Sequence, residues 1–293
     1  MGTAWSGPAA RSTEQPDRPL ITKVIPVSGE RIPAIGLGTD AFQRSEREPI
    51  RAEIQRMIEM GGSVIDTAAA YGDSEQLIGD ALGALKQRKQ VFLATKLSEH
   101  GQLGDQASGE ASLLRSLERL QTERIDLLQV HNLDGVDRLM PLLQAWKKAA
   151  RIRYLGVTTS RVSQHAELVD VMRRYTLDFI QVDYSLANRD AAVDVFPEAM
   201  QRRVAVLVNL PFARASLLRQ AGQRELPDWA ATFDAASWGQ FFLKYVISHP
   251  AVTCAIPGST KLEHLQDNQL AARGRLPDQA LRTRMEQFWD AGN

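Results

Sequence analysis

Short apolar runs alternate along this chain with stretches whose apolar residues recur every three or four positions. Eight runs read as strands: 34–38, 64–67, 91–96, 125–131, 152–158, 179–184, 204–210 and 253–256. Their Val, Ile, Leu and Phe content, with little polar interruption, suits strands covered on both faces. Between them, Ile50, Ile54, Met57 and Ile58 share one helical face. Ser45 and Glu48 have capping-box spacing ahead of that face, and Gly61-Gly62 supplies its stop. Leu113, Leu114, Leu117 and Leu120 mark a helix over 107–122, and Leu142, Leu143 and Trp146 mark one over 137–150. Further helices are predicted at 75–87, 163–176, 190–202, 236–249, 260–270 and 278–290. The segment 21–33, centred on Ser28-Gly29, predicts a hairpin ahead of the first long strand.

Strict alternation of strands and helices implies a parallel sheet. Eight repeats fit a closed (β/α)8 TIM barrel better than an open sheet. No Gly-x-Gly-x-x-Gly follows the first strand, which weakens a Rossmann reading. The expected architecture is α/β: one barrel domain over 21–293, with an N-terminal hairpin, a short C-terminal helix, and a flexible arm at 1–20. A length of 293 residues and 44% apolar composition allow such a core. Basic and acidic residues balance at 35 each, so no global field favours nucleic acid or an anionic membrane. The single cysteine, Cys254, excludes an intramolecular disulfide framework and a cysteine-rich metal site, and reads as an inert core residue. No apolar run approaches the ~18 residues of a membrane span. A monomer is expected, in the cytoplasm, or in the periplasm if residues 1–20 are the remnant of a trimmed precursor.

Four polar residues close the predicted strands or follow them at once: Asp66, Tyr71, Lys96 and His131. An unpaired charge in an apolar wall is costly, so buried strands seldom finish this way without a reason. In a parallel barrel all four emerge at the carboxyl rim, where such barrels place their active sites. A free phenol, with a pKa of about 10, exchanges protons poorly near neutrality. An ammonium beside Tyr71 stabilises the phenolate and is expected to lower that value. Lys96 can supply the charge, Asp66 can hold Lys96 ionised, and His131 can donate a hydrogen bond to a carbonyl oxygen. The set would protonate an oxygen as it gains charge, which carbonyl reduction needs once hydride arrives. No side chain donates hydride, so a nicotinamide cofactor is implied. Taken singly, each residue has an ordinary reading. Tyr71 could be a packed loop ring, His131 a satisfied histidine, Lys96 a snorkelling amine and Asp66 a turn cap. Their joint placement favours the catalytic one.

On these residues the chain resembles the aldo-keto reductase family from about residue 20 to 270. Asp-Thr-Ala-x-x-Tyr-Gly-x-Ser-Glu (66–75) matches the family signature. Thr-Lys (95–96), Val-His-Asn (130–132), Leu-Gly-Val-Thr (155–158), Gln-Val-Asp-Tyr-Ser (181–185) and Ile-Pro-Gly-Ser-Thr-Lys (256–261) follow in the family's order. The resemblance implies that Tyr71 is the general acid, that Lys96 and Asp66 tune it, and that His131 orients the carbonyl. It also implies NADPH, with NADH second, lying extended across the rim.

The cofactor end has a physical reading as well. Thr260 and Glu263 have capping-box spacing, so the turn 257–260 should lead into a helix N-terminus that favours a phosphate. Lys261 adds charge and Ser259 a hydroxyl. By resemblance this segment holds the 2′-phosphate and pyrophosphate, and Asn268 contacts adenine. Likewise Gln181 and Thr158-Thr159 grip the nicotinamide carboxamide, and Gly38 and Thr39 begin the rim over the cofactor. The chain departs from the common pattern in four places. Thr158-Thr159 replaces Ser-Asn, and Asn209, followed by Leu210-Pro211-Phe212, replaces a stacking Tyr or Trp. His264 replaces an Arg clamp and Gly258 a frequent Lys. Lys261 and His264 keep NADPH the preferred cofactor.

By resemblance, substrate shape should come from rim segments 40–46, 98–106, 213–235 and 271–293; Trp229, Phe233 and Trp238, in or near the third, could line an apolar pocket, or Phe233 and Trp238 could be core contacts of a helix. Two other functions fit the same residues. One is a nicotinamide-binding regulatory or sensor subunit with little turnover. The other is a lyase using Lys96 as a Schiff-base nucleophile, against which Asp66 argues by keeping the amine protonated.

Overall fold

A computed structural model describes residues 18–42, 47–97, 106–222 and 224–292. Most of the expected 1–20 arm, the Ser45 half of the first capping box and most of rim segment 98–106 lie outside these residues. Two short antiparallel strands come first, β1 (Thr22–Val24) and β2 (Arg31–Pro33), with Lys23 opposite Ile32. Eight parallel strands follow: β3 (Leu37–Gly38), β4 (Val64–Asp66), β5 (Phe92–Leu97), β6 (Ile125–Val130), β7 (Ile152–Thr158), β8 (Phe179–Asp183), β9 (Ala205–Asn209) and β10 (Val252–Ala255). Each pairs with the next in chain order. The sheet closes through parallel bridges Ile35–Ala255 and Gly38–Gly258, so it is a (β/α)8 barrel with the expected hairpin.

The helices are α1 (Arg47–Glu59), α2 (Ser74–Leu85), α3 (Gln106–Arg119), α4 (Val136–Lys148), α5 (His165–Arg174), α6 (Val195–Arg202), α7 (Ser216–Ala221), α8 (Trp238–Ile247), α9 (Leu262–Leu270) and α10 (Gln279–Ala291). Sequence periodicity anticipates all but α7, a short helix inside the expected loop 213–235. The predicted 190–202 helix is split, with a separate 3-10 turn at Asp190–Ala192 ahead of α6. None of the described helices is long and apolar enough to cross a membrane.

Strand parity builds two cores. Ile65, Leu93, Leu128, Leu155, Ile180 and Val206 face the helices, in the larger cluster. Val64, Phe92, Ala94, Leu127, Tyr154, Phe179, Ala205 and Leu207 fill the barrel, joined by Ile25 and Ile32 of the hairpin. The hairpin therefore plugs the end where the strands begin. Tyr154 anchors it by hydrogen bonds to Glu30 Oε2 at 2.7 Å and Ser28 Oγ at 2.8 Å. Continuing the inward parity by two residues sets Asp66, Lys96, Gln129 and Gln181 as a polar layer above the apolar fill. Among the described residues, the open end of the barrel is the opposite one, where the strands finish.

Candidate active site

The polar layer is held by register. Gly38 pairs with Asp66, Lys96 with Gln129, and Thr158 with Gln181. Lys96 Nζ donates to Asp66 Oδ2 at 2.5 Å and to the Thr67 carbonyl at 2.7 Å. Gln129 donates to Gln181 Oε1 at 3.3 Å and, at 3.5 Å, reaches Asp66 Oδ1. Sequence reasoning missed Gln129, although it stands two residues before His131 on the same strand face.

Tyr71 reaches this layer from the loop between β4 and α2. That loop follows the edge of β5, with Thr67 and Ala69 donating their amides to the Ala94 and Lys96 carbonyls. Ser74 ties it to the end of β3, donating to Thr39 Oγ1 at 2.8 Å and lying 3.0 Å from Thr67 Oγ1. Thr39 in turn donates its amide and hydroxyl to the Asp66 carbonyl. Lys96 Nζ is 5.1 Å from the Tyr71 ring centroid, and the Tyr71 and His131 rings meet edge to face at 5.7 Å. His131 starts a turn whose next two residues, Asn132 and Leu133, are left-handed. Thr158 Oγ1 accepts the Asn132 amide at 3.0 Å and braces it.

The electrostatics depart from the sequence expectation at one point. The Lys96 charge is the largest single influence on Tyr71 and favours the phenolate. Burial, with the carboxylates of Asp66 and Asp40, outweighs it, so the phenol is held above its ordinary value rather than below. Burial is the largest influence on Lys96 and disfavours the ammonium, but Asp66 and Tyr71 together outweigh it and hold the amine above its ordinary value. Burial pushes the Asp66 carboxyl up against the pull of Lys96.

A cleft of about 970 Å³ opens above this layer. Asp66, Tyr71, Lys96 and His131 all line it. So do the expected cofactor positions Gly38, Thr39, Thr158, Gln181, Asn209, Leu210, Pro211, Phe212, Gly258, His264 and Asn268. Thr159, Ser259, Thr260 and Lys261 are not among its lining residues. The Thr159 hydroxyl is spent inside the protein, donating to Gln164 Oε1 at 2.7 Å and accepting the Arg161 amide. The capping box expected at Thr260 and Glu263 does not form. Helix α9 starts at Leu262, with extended Lys261 as N-cap and no side-chain cap. Ser259 Oγ accepts the Lys261 amide instead, a local serine-to-backbone bond two residues on. Trp229, Phe233 and Trp238 pack with Phe241 rather than line the cleft, so the helix-core alternative holds. Cys254 is free and buried, its thiol pushed up by burial.

Sequence reasoning also missed Asp40, Arg214 and Asp267, charged residues of the cleft wall that close no strand. Arg214 sits in a run of left-handed residues, Ala213, Arg214 and Ala215. The cleft fits a dinucleotide by size, its volume lying near the upper end of ligand sites, about 1,000 Å³. A Cβ on Gly38 would stand 2.7 Å from the Ile256 carbonyl oxygen, so glycine there lets β3 close against the chain that follows β10.

Comparison with known proteins gives the class of this barrel. The family model described as "Aldo/keto reductase family" matches residues 34–287. The chain belongs to the aldo/keto reductase family. It is 30% identical over 257 residues to methylglyoxal reductase YeaE of Escherichia coli (strain K12), covering 84% of this chain and 88% of that protein. It is 24% identical over 277 residues to L-galactose dehydrogenase of Arabidopsis thaliana, covering 83% and 85%. Among solved structures, an aldo-keto reductase from Klebsiella pneumoniae in complex with NADPH superposes with a TM-score of 0.76 at 26% identity, covering 92% of this chain and 95% of that one.

Proposed function

We propose that this chain is an NADPH-dependent reductase of aldehydes or ketones in which Tyr71 is the general acid. The observation that carries the reading is the buried Asp66–Lys96 pair beneath a phenol that faces the cleft beside His131. Complexes of the Klebsiella pneumoniae relatives with NADP and NADPH support the cofactor.

Gln181 and Asn268, both on the cleft wall, would hold the cofactor's two ends. When bound, the cofactor would supply a hydride for the carbonyl carbon. Tyr71 would pass its proton to the carbonyl oxygen as that oxygen takes up the C=O π pair. Charged Lys96 beside the ring steadies the phenolate left behind, which solvent then reprotonates. His131 donates to the same oxygen and fixes its direction. An amine held charged by Asp66 is no Schiff-base nucleophile, which disfavours the lyase reading. The sensor reading gains no observation of its own.

Tyr71→Phe should lower kcat for NADPH-dependent carbonyl reduction by roughly 10²–10⁴. Its NADPH dissociation constant, read from tryptophan fluorescence, should not change. A fully active Tyr71→Phe enzyme would remove the acid from Tyr71. Absence of turnover by the wild-type chain across a panel of aldehydes and ketones would favour the sensor.

A further inference from the structure

We infer that Gln129 is a positioning residue for the proposed reaction: one buried amide holds both Gln181, which would grip the nicotinamide, and the Asp66 carboxylate that pairs with Lys96. Cofactor seating and the proton-transfer group then depend on a single side chain beneath the cleft floor. The inference rests on the reductase reading above and adds to it a residue that touches neither cofactor nor substrate.

Strand order brings these groups together. Gln129 is on β6 and Gln181 on β8, with β7 between them. The β7 residue in register with Gln129 is Gly156. Tyr154, two residues earlier, points into the barrel, so Gly156 faces inward too and has no side chain to fill the gap. Gln129 Nε2 crosses β7 there and donates to Gln181 Oε1 at 3.3 Å. On its other side Lys96 takes Asp66 Oδ2, and Gln129 Nε2 stands 3.5 Å from the remaining oxygen, Oδ1. A carboxylate only accepts, so Gln129 must turn its nitrogen this way. Gln181 then cannot flip its own amide without setting nitrogen against nitrogen. Hydrogen bonding from both amides favours the ionised form of Asp66.

This arrangement is not the one that packing alone would choose. Gln129 is fully buried, yet its Oε1 has no hydrogen-bond partner among the described residues. An orphaned buried acceptor is destabilising. Methionine has a similar length and shape and would fill the space without one. Gln181 and Asp66 line the cleft, so water can replace the bonds that Gln129 gives them. Gln129 does not line the cleft, and its influence on bound molecules passes through those two residues. A side chain that breaks a packing rule while holding two residues of the site marks a functional role.

The test compares wild type with Gln129→Met, Gln181→Met and the double variant, with Gln129→Leu as a second apolar replacement. Calorimetry measures binding of NADPH and of adenosine 2′,5′-bisphosphate, which carries the adenine end of the cofactor without nicotinamide. Gln129→Met should raise the NADPH dissociation constant by roughly three- to tenfold and leave that of the bisphosphate unchanged. It should lower kcat for aldehyde reduction by roughly tenfold. Its denaturant midpoint should be no lower than that of wild type. In the Gln181→Met background the same change should weaken NADPH no further. Wild-type NADPH binding and kcat in both Gln129 variants would overturn the inference. So would equal weakening of both ligands with a lowered midpoint in both, which is what a packing role alone would give. A full further loss of NADPH binding in the double variant would also overturn it, because Gln129 would then not act through Gln181. Wild type that neither binds NADPH nor reduces an aldehyde would instead overturn the reductase reading beneath it.

Discussion

Lys96 Nζ lies 2.5 Å from Asp66 Oδ2, with the two side chains 1% and 3% exposed. A pair this dry gains from attraction but has lost both hydration shells, so its net worth is small and its halves depend on each other. Removing one partner is the damaging change. Asp66→Asn and Lys96→Met should each destabilise the fold by about 3–5 kcal/mol. The double variant should cost clearly less than their sum. Chemical denaturation of the four proteins reads this directly, and simple additivity would show that the two groups do not depend on one another.

The raised Tyr71 phenol sets a pH signature. Its value lies above the ordinary 10.0, so the acid form that the proposed reduction needs is full throughout the neutral range. From about pH 6 to about pH 9, Tyr71 should impose no limb on kcat/KM for reduction. Alcohol oxidation needs the phenolate and should rise with pH over the same span. Lys96→Met removes the one large influence that favours phenolate, so it should depress oxidation more than reduction. An alkaline limb for reduction with a midpoint below about 9, lost in Tyr71→Phe, would show the phenol to be acidified instead.

What could be read from the chain follows from period and parity. Apolar runs located every barrel strand, and the parity that buries Val64, Phe92 and Leu127 inside also carries Asp66, Lys96 and Gln129 inward. The tetrad was legible because ionisable groups closing apolar strands are costly unless used. Three things were not. Helix α7, at six residues, spans too few turns to show a period. The α9 start depends on whether Ser259 or Thr260 closes the preceding turn, a choice made by backbone geometry. Whether the Tyr71 phenol is raised or lowered depends on summing burial and two carboxylates against one ammonium, and Asp40 gives no strand-end signal that would bring it into that sum.

Three consecutive left-handed residues, Ala213, Arg214 and Ala215, border the cleft with φ of 48°, 54° and 64°. For a residue with a Cβ this conformation costs roughly 1–2 kcal/mol. Glycine bears no such cost, though it loses more entropy on folding, by about 0.5–1 kcal/mol. Ala215→Gly should therefore leave stability unchanged or raise it by up to about 1 kcal/mol, where the same change inside a helix lowers it. Thermal or urea unfolding distinguishes the signs. A loss of more than about 1 kcal/mol would show that the left-handed run carries no strain.

Glu53, on α1, offers the clearest pH-dependent stability. It is 1% exposed, and its Oε2 has no hydrogen-bond partner among the described residues. Burial raises its carboxyl from 4.5 to about 7. Because the folded value lies above the unfolded one, the folded state holds the proton more tightly. The benefit is complete below about 4.5 and drains away as pH climbs to about 7, leaving a buried, unmatched charge beyond that. Each tenfold tightening of the proton on the folded carboxyl is worth about 1.36 kcal/mol, so the loss amounts to about 3 kcal/mol. Glu53→Gln cannot ionise, so at about pH 8 it should be more stable than wild type by that amount, and near pH 4.5 the two should coincide. Denaturant midpoints at the two pH values give the comparison, and an equal gap at both would mean that the carboxyl does not titrate in the folded protein.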